Sequence, residues 1–250
     1  MRSNEAGNVY PKEGWEDETK VGIRSYFNDR KLYYGIKRGI DITISLLVIL
    51  LVYWWMFPLI ALFIKLDSDG PVFFRQKRVG FLGKIFWCYK FRTMVVNDMA
   101  DTRQATLHDH RITRVGKFLR DTCLDELPQF INVLLGHMSI VGPRPHMLKD
   151  SREFSNVVSN YKFRSLVKPG ITGISQVRGY RGQATNFQSI FRRYLWDAYY
   201  VRNVSFGLDI RIMAETAILM VRSIFDKGRP MPAENRFIHS PGKNAIKKIA

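Results

Sequence analysis

The order of apolar and polar positions divides the chain into four stretches. Residues 1–34 mix charges and polar groups, with Gly7, Pro11, Gly14 and Gly22 interrupting any sustained period. They predict a polar lead with no more than an interfacial turn near Tyr26 and Phe27. Residues 35–66 hold a strongly apolar run without a charged residue, Ile42 to Ile64, of about 23 positions, enough to cross a hydrocarbon layer of about 30 Å as a helix. Apolar side chains cover every face of that helix, and Trp54 and Trp55 sit within it, which argues against an ordinary core helix with one buried stripe. The run is also too long, and too far from the start of the chain, for a signal peptide.

Residues 67–225 change character. Asp67-Ser68-Asp69-Gly70-Pro71 is a cluster of turn formers, and VFFRQKRVG and KIFWCYKFRTM then read as two short strands joined at Gly80–Gly83, a β-hairpin. Helical periodicity returns at Val115–Leu119, Leu127–Leu135, Phe187–Tyr200 and Leu208–Ile224. Residues 226–250, rich in Pro, Gly and Lys, predict a basic, flexible tail. No internal repeat is visible. The expected fold is α+β and mainly helical: a membrane helix (35–66), then a compact membrane-associated domain (67–225) carrying a small hairpin.

Charge sharpens this picture. A net charge of +17 calls for anionic company: nucleic acid, anionic lipid or phosphorylated substrates. Arg24, Arg30, Lys31, Lys37 and Arg38 precede the apolar run, and Lys65, Arg75, Lys77, Arg78 and Lys84 follow it. Positive flanks favour the cytoplasmic side, so both ends want the same face. A helix that enters, breaks and returns satisfies both, and Pro58 offers the break because it lacks a backbone donor. The expectation is a re-entrant helix. Two Cys, Cys88 and Cys123, with no CxxC pair, exclude a disulfide framework or a zinc site and fit a reducing compartment. His108 and His110 flank Asp109 in what reads as a solvated loop.

The candidate chemistry lies in DHRITRVGKFLRDTCLDELPQFINVLLGHMSIVGPRP, Asp109 to Pro145. Adjacent carboxylates, Asp125 and Glu126, stand among Arg and Lys as if to share an anionic ligand. Pro128 fits only the first turn of a helix, so a helix is expected to start near Leu124 or Asp125, with its free N–H groups beside the carboxylates. The plainer alternative is a capping box started by Thr122. Arg144, stiffened between Pro143 and Pro145, suits a bidentate phosphate contact. Arg111 ranks next, and Arg75, Arg78, Arg92 and Arg114 are further phosphate candidates. A nucleic-acid binder would explain the charge but not the apolar run, and no such domain signature is visible. A non-catalytic basic membrane scaffold would leave the Asp-Glu pair without a purpose.

Five ordered motifs carry a resemblance: KRGID at Lys37–Asp41, GPVFFRQKRVG at Gly70–Gly80, KFRTM at Lys90–Met94, the LDELPQ to GPRP block, and KPGITG at Lys168–Gly173. From Tyr34 to Gly228 the chain resembles the bacterial polyprenyl-phosphate hexose-1-phosphate transferases, which are monotopic phosphoglycosyltransferases. The resemblance implies transfer of a sugar-1-phosphate from a UDP-sugar to polyprenyl (undecaprenyl) phosphate, with release of UMP, as the first membrane step of exopolysaccharide, capsule or O-antigen assembly. It implies Asp125 as nucleophile and Glu126 as its acidic partner, the two holding Mg²⁺. It implies membrane lipids as partners and no nucleic acid, and leaves a homodimer open. The implied location is the cytoplasmic face of the bacterial inner membrane. Larger members add a multi-span region and a soluble domain, so the chain is expected to be the catalytic unit with a short lead. GYRG at Gly179–Gly182 is similar to the RG loop of glucose- and galactose-1-phosphate transferases, which makes Arg178 and Arg181 substrate-loop candidates. Ile174-Ser175 and Arg178 depart from the Trp-Ala and Asn common in the family, and so leave the hexose open.

Overall fold

The structure, a computed structural model, describes residues 26–225 apart from 99, 101–102, 107–108, 159, 181 and 183–185. The lead up to residue 25 and the tail from residue 226 lie outside the described residues. Helix α1 (Lys31–Val48) passes through a π-helical stretch, Ile49–Tyr53, into α2 (Trp54–Asp67). Together they form one helix of 37 residues, Lys31–Asp67, roughly 55 Å along its axis if straight. Among the described residues it is the one helix long and apolar enough to cross a membrane. The break expected at Pro58 is not a helix end, because Pro58 lies inside α2. The departure from α geometry falls one turn earlier. Pro58 has no N–H for the Trp54 carbonyl and its ring crowds that turn, and the ladder widens in the residues leading up to it.

The helix is packed along its length rather than at one end. Arg38 donates to Val133 O (2.6 Å) and Leu134 O (2.9 Å), capping the last carbonyls of another helix. Asp41 is buried and accepts from the Ile140 amide at 3.0 Å. Tyr53 donates to Leu127 O (2.6 Å), and Ile60 and Ile64 are buried against Phe91 and Leu119. The other face presents Leu46, Leu50, Leu51, Trp54, Leu62 and Leu66 outward. The region near Tyr26, expected as an interfacial turn, is docked instead. Tyr26 donates to Val201 O, and Tyr33 and Lys37 both donate to Asp209 at 2.7 Å.

The hairpin is present as read. Strands β1 (Phe73–Val79) and β2 (Ile85–Phe91) pair antiparallel, with Phe74 opposite Lys90 and Arg78 opposite Phe86. Leu82 (φ 51°) and Gly83 (φ 78°) turn the chain between them. Helix α3 (Arg114–Asp121) is capped twice: Thr113 accepts from Gly116 N at 3.0 Å, and Asp67, at the end of α2, accepts from Val115 N at 2.8 Å. Beyond it come α4 (Gln129–Leu134), β3 (Ser139–Val141), α5 (Leu148–Val157), β4 (Gly170–Thr172) and α6 (Ile174–Val177). Helices α7 (Phe187–Arg202) and α8 (Phe206–Phe225) close the fold, the first opened by an Asn186–Ser189 capping box. Strands β3 and β4 form a small parallel pair that the periodicity did not reveal. The main core joins Phe86, Val133, Met138, Val141, Ile174, Tyr200, Val201 and Ile212.

Candidate active site

The carboxylate pair sits on a tight turn, not on a helix start. After α3, Cys123 adopts a left-handed conformation (φ 63°), and Leu124–Glu126 form a single 3₁₀ turn. Helix α4 begins only at Gln129, with Pro128 at its N-cap. A helix starting at Leu124 would take its first i→i−4 bond from the amide of residue 128, which proline lacks. The turn closes with shorter loops instead, Glu126 N to Cys123 O and Leu127 N to Leu124 O, both 3.2 Å. The capping box does not form either, since the Thr122 hydroxyl donates back to Phe118 O at 2.8 Å.

Side chains supply the positive charge that a helix end was expected to provide. Asp125 and Glu126 are both buried. Lys90 lies 2.7 Å from Glu126 Oε1 and 3.7 Å from Asp125 Oδ2. Arg144 grips Glu126 with both terminal nitrogens, at 2.7 and 3.3 Å. Asn132, fully buried, accepts from Tyr89 N (3.0 Å) and donates to Trp87 O (2.7 Å), so it fastens α4 to β2 and brings the pair to Lys90. Behind Arg144, its carbonyl accepts from Arg164 at 2.6 Å, and Arg164 pairs with buried Asp197 at 2.8 Å.

Asp125, Glu126, Lys90 and Arg144 line a cavity of about 420 Å³. One part of its wall is apolar, with Phe73, Phe74, Phe91, Val95 and Val96. Phe57 of α2 packs on two of these, with ring centres 6.0 Å from Phe73 and 4.7 Å from Phe91. The rest is strongly cationic: Arg78, Lys90, Arg92, Arg120, Arg144 and Arg193, with His146, Asp150 and the two carboxylates. Burial pushes the pKa values of Arg78, Arg120 and Arg193 down from the usual guanidinium range. Burial also raises the Cys88 thiol, which suits an inert core position.

The sequence candidates separate clearly. Arg144, Arg78 and Arg92 reach the cavity wall, although Arg92 also ties down the α2–β1 turn through Ser68 O and Asp69 O. Arg111 does not belong to the wall. It is buried and locked onto Asp109 by two bonds of 2.9 and 2.7 Å, and it holds that carboxyl well below the usual carboxylate range. The Asp109 segment is therefore not a solvated loop at Asp109, although His110 is exposed; His108 lies outside the described residues. Arg75 stacks over Trp87 on the outer face of the hairpin (5.1 Å), and Arg114 is exposed at the start of α3. Arg178 is not among the wall residues; it lies 3.6 Å from Glu215 and packs over Trp196. Arg181 is outside the described residues.

Sequence reading missed Lys90, Arg120, His146, Asp150 and Arg193. Lys90 was detectable, because it shares the inward register of Phe86 and Cys88 on an otherwise apolar strand face. For Mg²⁺, implied by the resemblance, no cluster of three His, Cys, Asp or Glu occurs among the described residues. Two hard carboxylates on one wall fit a cation whose remaining ligands are substrate phosphate oxygens and water.

The profile described as bacterial sugar transferase matches residues 32–223. The chain belongs to the bacterial sugar transferase family. It is 43% identical over 200 residues to the UDP-glucose:undecaprenyl-phosphate glucose-1-phosphate transferase of Xanthomonas campestris pv. campestris, covering 79% of this chain and 41% of that relative. The Escherichia coli (strain K12) protein of the same name is 47% identical over 180 residues, covering 71% and 38%. The exopolysaccharide production protein PSS of Rhizobium leguminosarum bv. phaseoli is 43% identical over 188 residues, covering 73% of this chain and 94% of that relative. The family match thus extends from α1 to near the end of α8, while the chain spans about two-fifths of the length of the first two relatives.

Proposed function

We propose that this protein transfers a sugar-1-phosphate from a UDP-sugar to undecaprenyl phosphate at the cytoplasmic face of a bacterial inner membrane, releasing UMP. The observation that carries this reading is the buried Asp125–Glu126 pair, flanked by Lys90 and Arg144, in a cavity that is apolar beside α2 and cationic elsewhere. The names of the relatives above support the substrate classes and favour glucose as the hexose, and exopolysaccharide assembly as the setting.

The chemistry is a double displacement. An Asp125 oxygen attacks the phosphorus that bears the sugar, the bond from that phosphorus to the bridging oxygen breaks, and UMP leaves with the electron pair. A phosphate oxygen of the lipid then attacks the same phosphorus, and the Asp125 oxygen leaves as a free carboxylate. Splitting the transfer keeps two anionic substrates from having to share the site. Lys90 and Arg144 counter the charge that accumulates at phosphorus. Mg²⁺, when held by Glu126 and Asp125, would supply further charge neutralisation for the diphosphate.

The first half-reaction needs no lipid. Purified protein given UDP-glucose alone should release about one UMP per active site and retain labelled sugar phosphate on Asp125. UMP release that strictly requires undecaprenyl phosphate would instead mean direct transfer between two bound substrates.

The helix belongs to the same proposal. Its contacts through Arg38, Asp41, Tyr53, Ile60 and Asp67 all go to one body, as expected if both halves return to one membrane face. The outward row of leucines and Trp54 would face lipid. Single cysteines introduced near Ser3 or Ser240, with Cys88 and Cys123 replaced, should both resist an impermeant thiol reagent applied to intact cells. Labelling at only one end would make the helix a true span.

A further inference from the structure

His146 follows the Gly142–Pro145 segment and lines the cavity while being buried. Its backbone is fixed to the hairpin, because its carbonyl accepts from Val79 N at 3.1 Å. Its ring is fixed from behind: Nδ1 meets the Tyr161 hydroxyl at 2.5 Å, and Phe154 packs edge-on with centres 5.5 Å apart. The other ring nitrogen, Nε2, has no hydrogen-bond partner among the described residues. Beside it on the wall stands Arg193, which donates to Gly182 O at 2.6 Å and whose Nε is likewise buried without a partner among those residues. A buried polar atom without a partner is costly, and one on a cavity wall is satisfied when a ligand arrives.

The ring has a defined state. Burial, followed by the nearby charges of Arg164, Arg193, Arg78 and Arg144, holds its pKa well below the usual histidine value, so it is neutral at pH 7. A neutral ring whose Nδ1 accepts from the Tyr161 hydroxyl carries its single proton on Nε2. Nε2 is then an unpartnered donor, among the described residues, on a residue of the cavity wall, and its complement is an oxygen acceptor. The position selects which substrate brings that oxygen. The apolar wall, where a polyprenyl chain belongs, packs on Phe57 of α2, whereas His146 packs on Phe154 of α5 and on Tyr161.

We infer that His146 Nε2 hydrogen-bonds an oxygen of the nucleotide part of the nucleotide-sugar donor, the part that leaves as UMP, making His146 a donor-binding residue that the lipid acceptor does not use. The inference rests on the donor and acceptor classes proposed above. In a double displacement, kcat/KM for each substrate reports its own half-reaction, so the two can be read separately.

Two polar substitutions test it. His146→Asn keeps an acceptor near the Nδ1 position for Tyr161 and loses the Nε2 nitrogen; His146→Gln keeps a nitrogen near the Nε2 position. With folding checked by thermal melting, His146→Asn should lower kcat/KM for UDP-glucose by about tenfold or more, as for loss of one well-placed hydrogen bond. It should leave kcat/KM for undecaprenyl phosphate unchanged, and His146→Gln should recover part of the loss. Parent-like use of UDP-glucose by the Asn variant would overturn the assignment. So would equal losses toward both substrates, or failure of both variants to melt cooperatively, which would make His146 a core residue only. If the parent protein itself releases no UMP from any UDP-sugar, the substrate reading fails, and this inference with it.

Discussion

Asp125→Asn should abolish UMP release, with a fall of about 10³-fold or more, while leaving the protein folded and membrane-bound. The substitution is nearly isosteric and removes the attacking oxyanion. It also removes a buried negative charge, but Lys90 keeps its 2.7 Å bond to Glu126. Glu126→Gln makes the useful contrast. Lys90 and Arg144 both make their shortest ion pair with that one carboxylate, so neutralising it weakens the pairing of two largely buried cations. That variant should lose both activity and thermal stability, whereas Asp125→Asn loses activity alone. Release of UMP and thermal melting, measured on the same preparations, separate the two. Near-parental turnover by Asp125→Asn would remove the covalent step from the mechanism.

Much of this site was legible in the sequence because its parts are local. The hairpin follows from alternation on either side of a Gly-bounded turn, and α3, α7 and α8 follow from sustained helical periods. The carboxylate pair and Arg144 stand in motifs that carry the family likeness. What escaped was decided by contacts between distant residues. Arg111 looked like a phosphate ligand until the fold brought Asp109 inward with it, giving that guanidinium an internal partner. Strands β3 and β4 are three residues each and largely buried, so they show no alternation to detect. The start of α4 differs from the sequence expectation for another reason: Pro128 is compatible with a first helical turn, but its missing amide is one that a helix from Leu124 needs. His146 left no pattern at all. Its place on the cavity wall arises from Tyr161 and Phe154, which lie on elements later in the chain.

Gly170→Ala should be among the most damaging single substitutions outside the carboxylate pair. Strand β4 runs beside β3 with Ser139 opposite Gly170 and Val141 opposite Thr172, and the chain leaves β3 directly into Gly142-Pro143-Arg144. A Cβ on Gly170 would lie 2.1 Å from Gly142 N and 2.7 Å from Gly142 O. Those are backbone atoms, so no side chain can swing aside to relieve the clash. The close approach runs both ways, since a Cβ on Gly142 would meet Lys168 O at 2.4 Å, and one on Gly173 would meet Gly142 O at 2.2 Å. Separating the strands must move Gly142, and with it the segment that holds Arg144 against Glu126. A loss of about 3 kcal/mol is expected, lowering the melting temperature by roughly 6–12 °C. UMP release should also fall in whatever fraction remains folded. Gly39→Ala, within α1, is the matched control: a Cβ there meets nothing within 4 Å, so added helix propensity should leave stability unchanged or raise it by about 0.5–1 kcal/mol. If Gly170→Ala melted with the parent protein, the contact between β4 and the Gly142 backbone could not be the clamp that sets the position of Arg144.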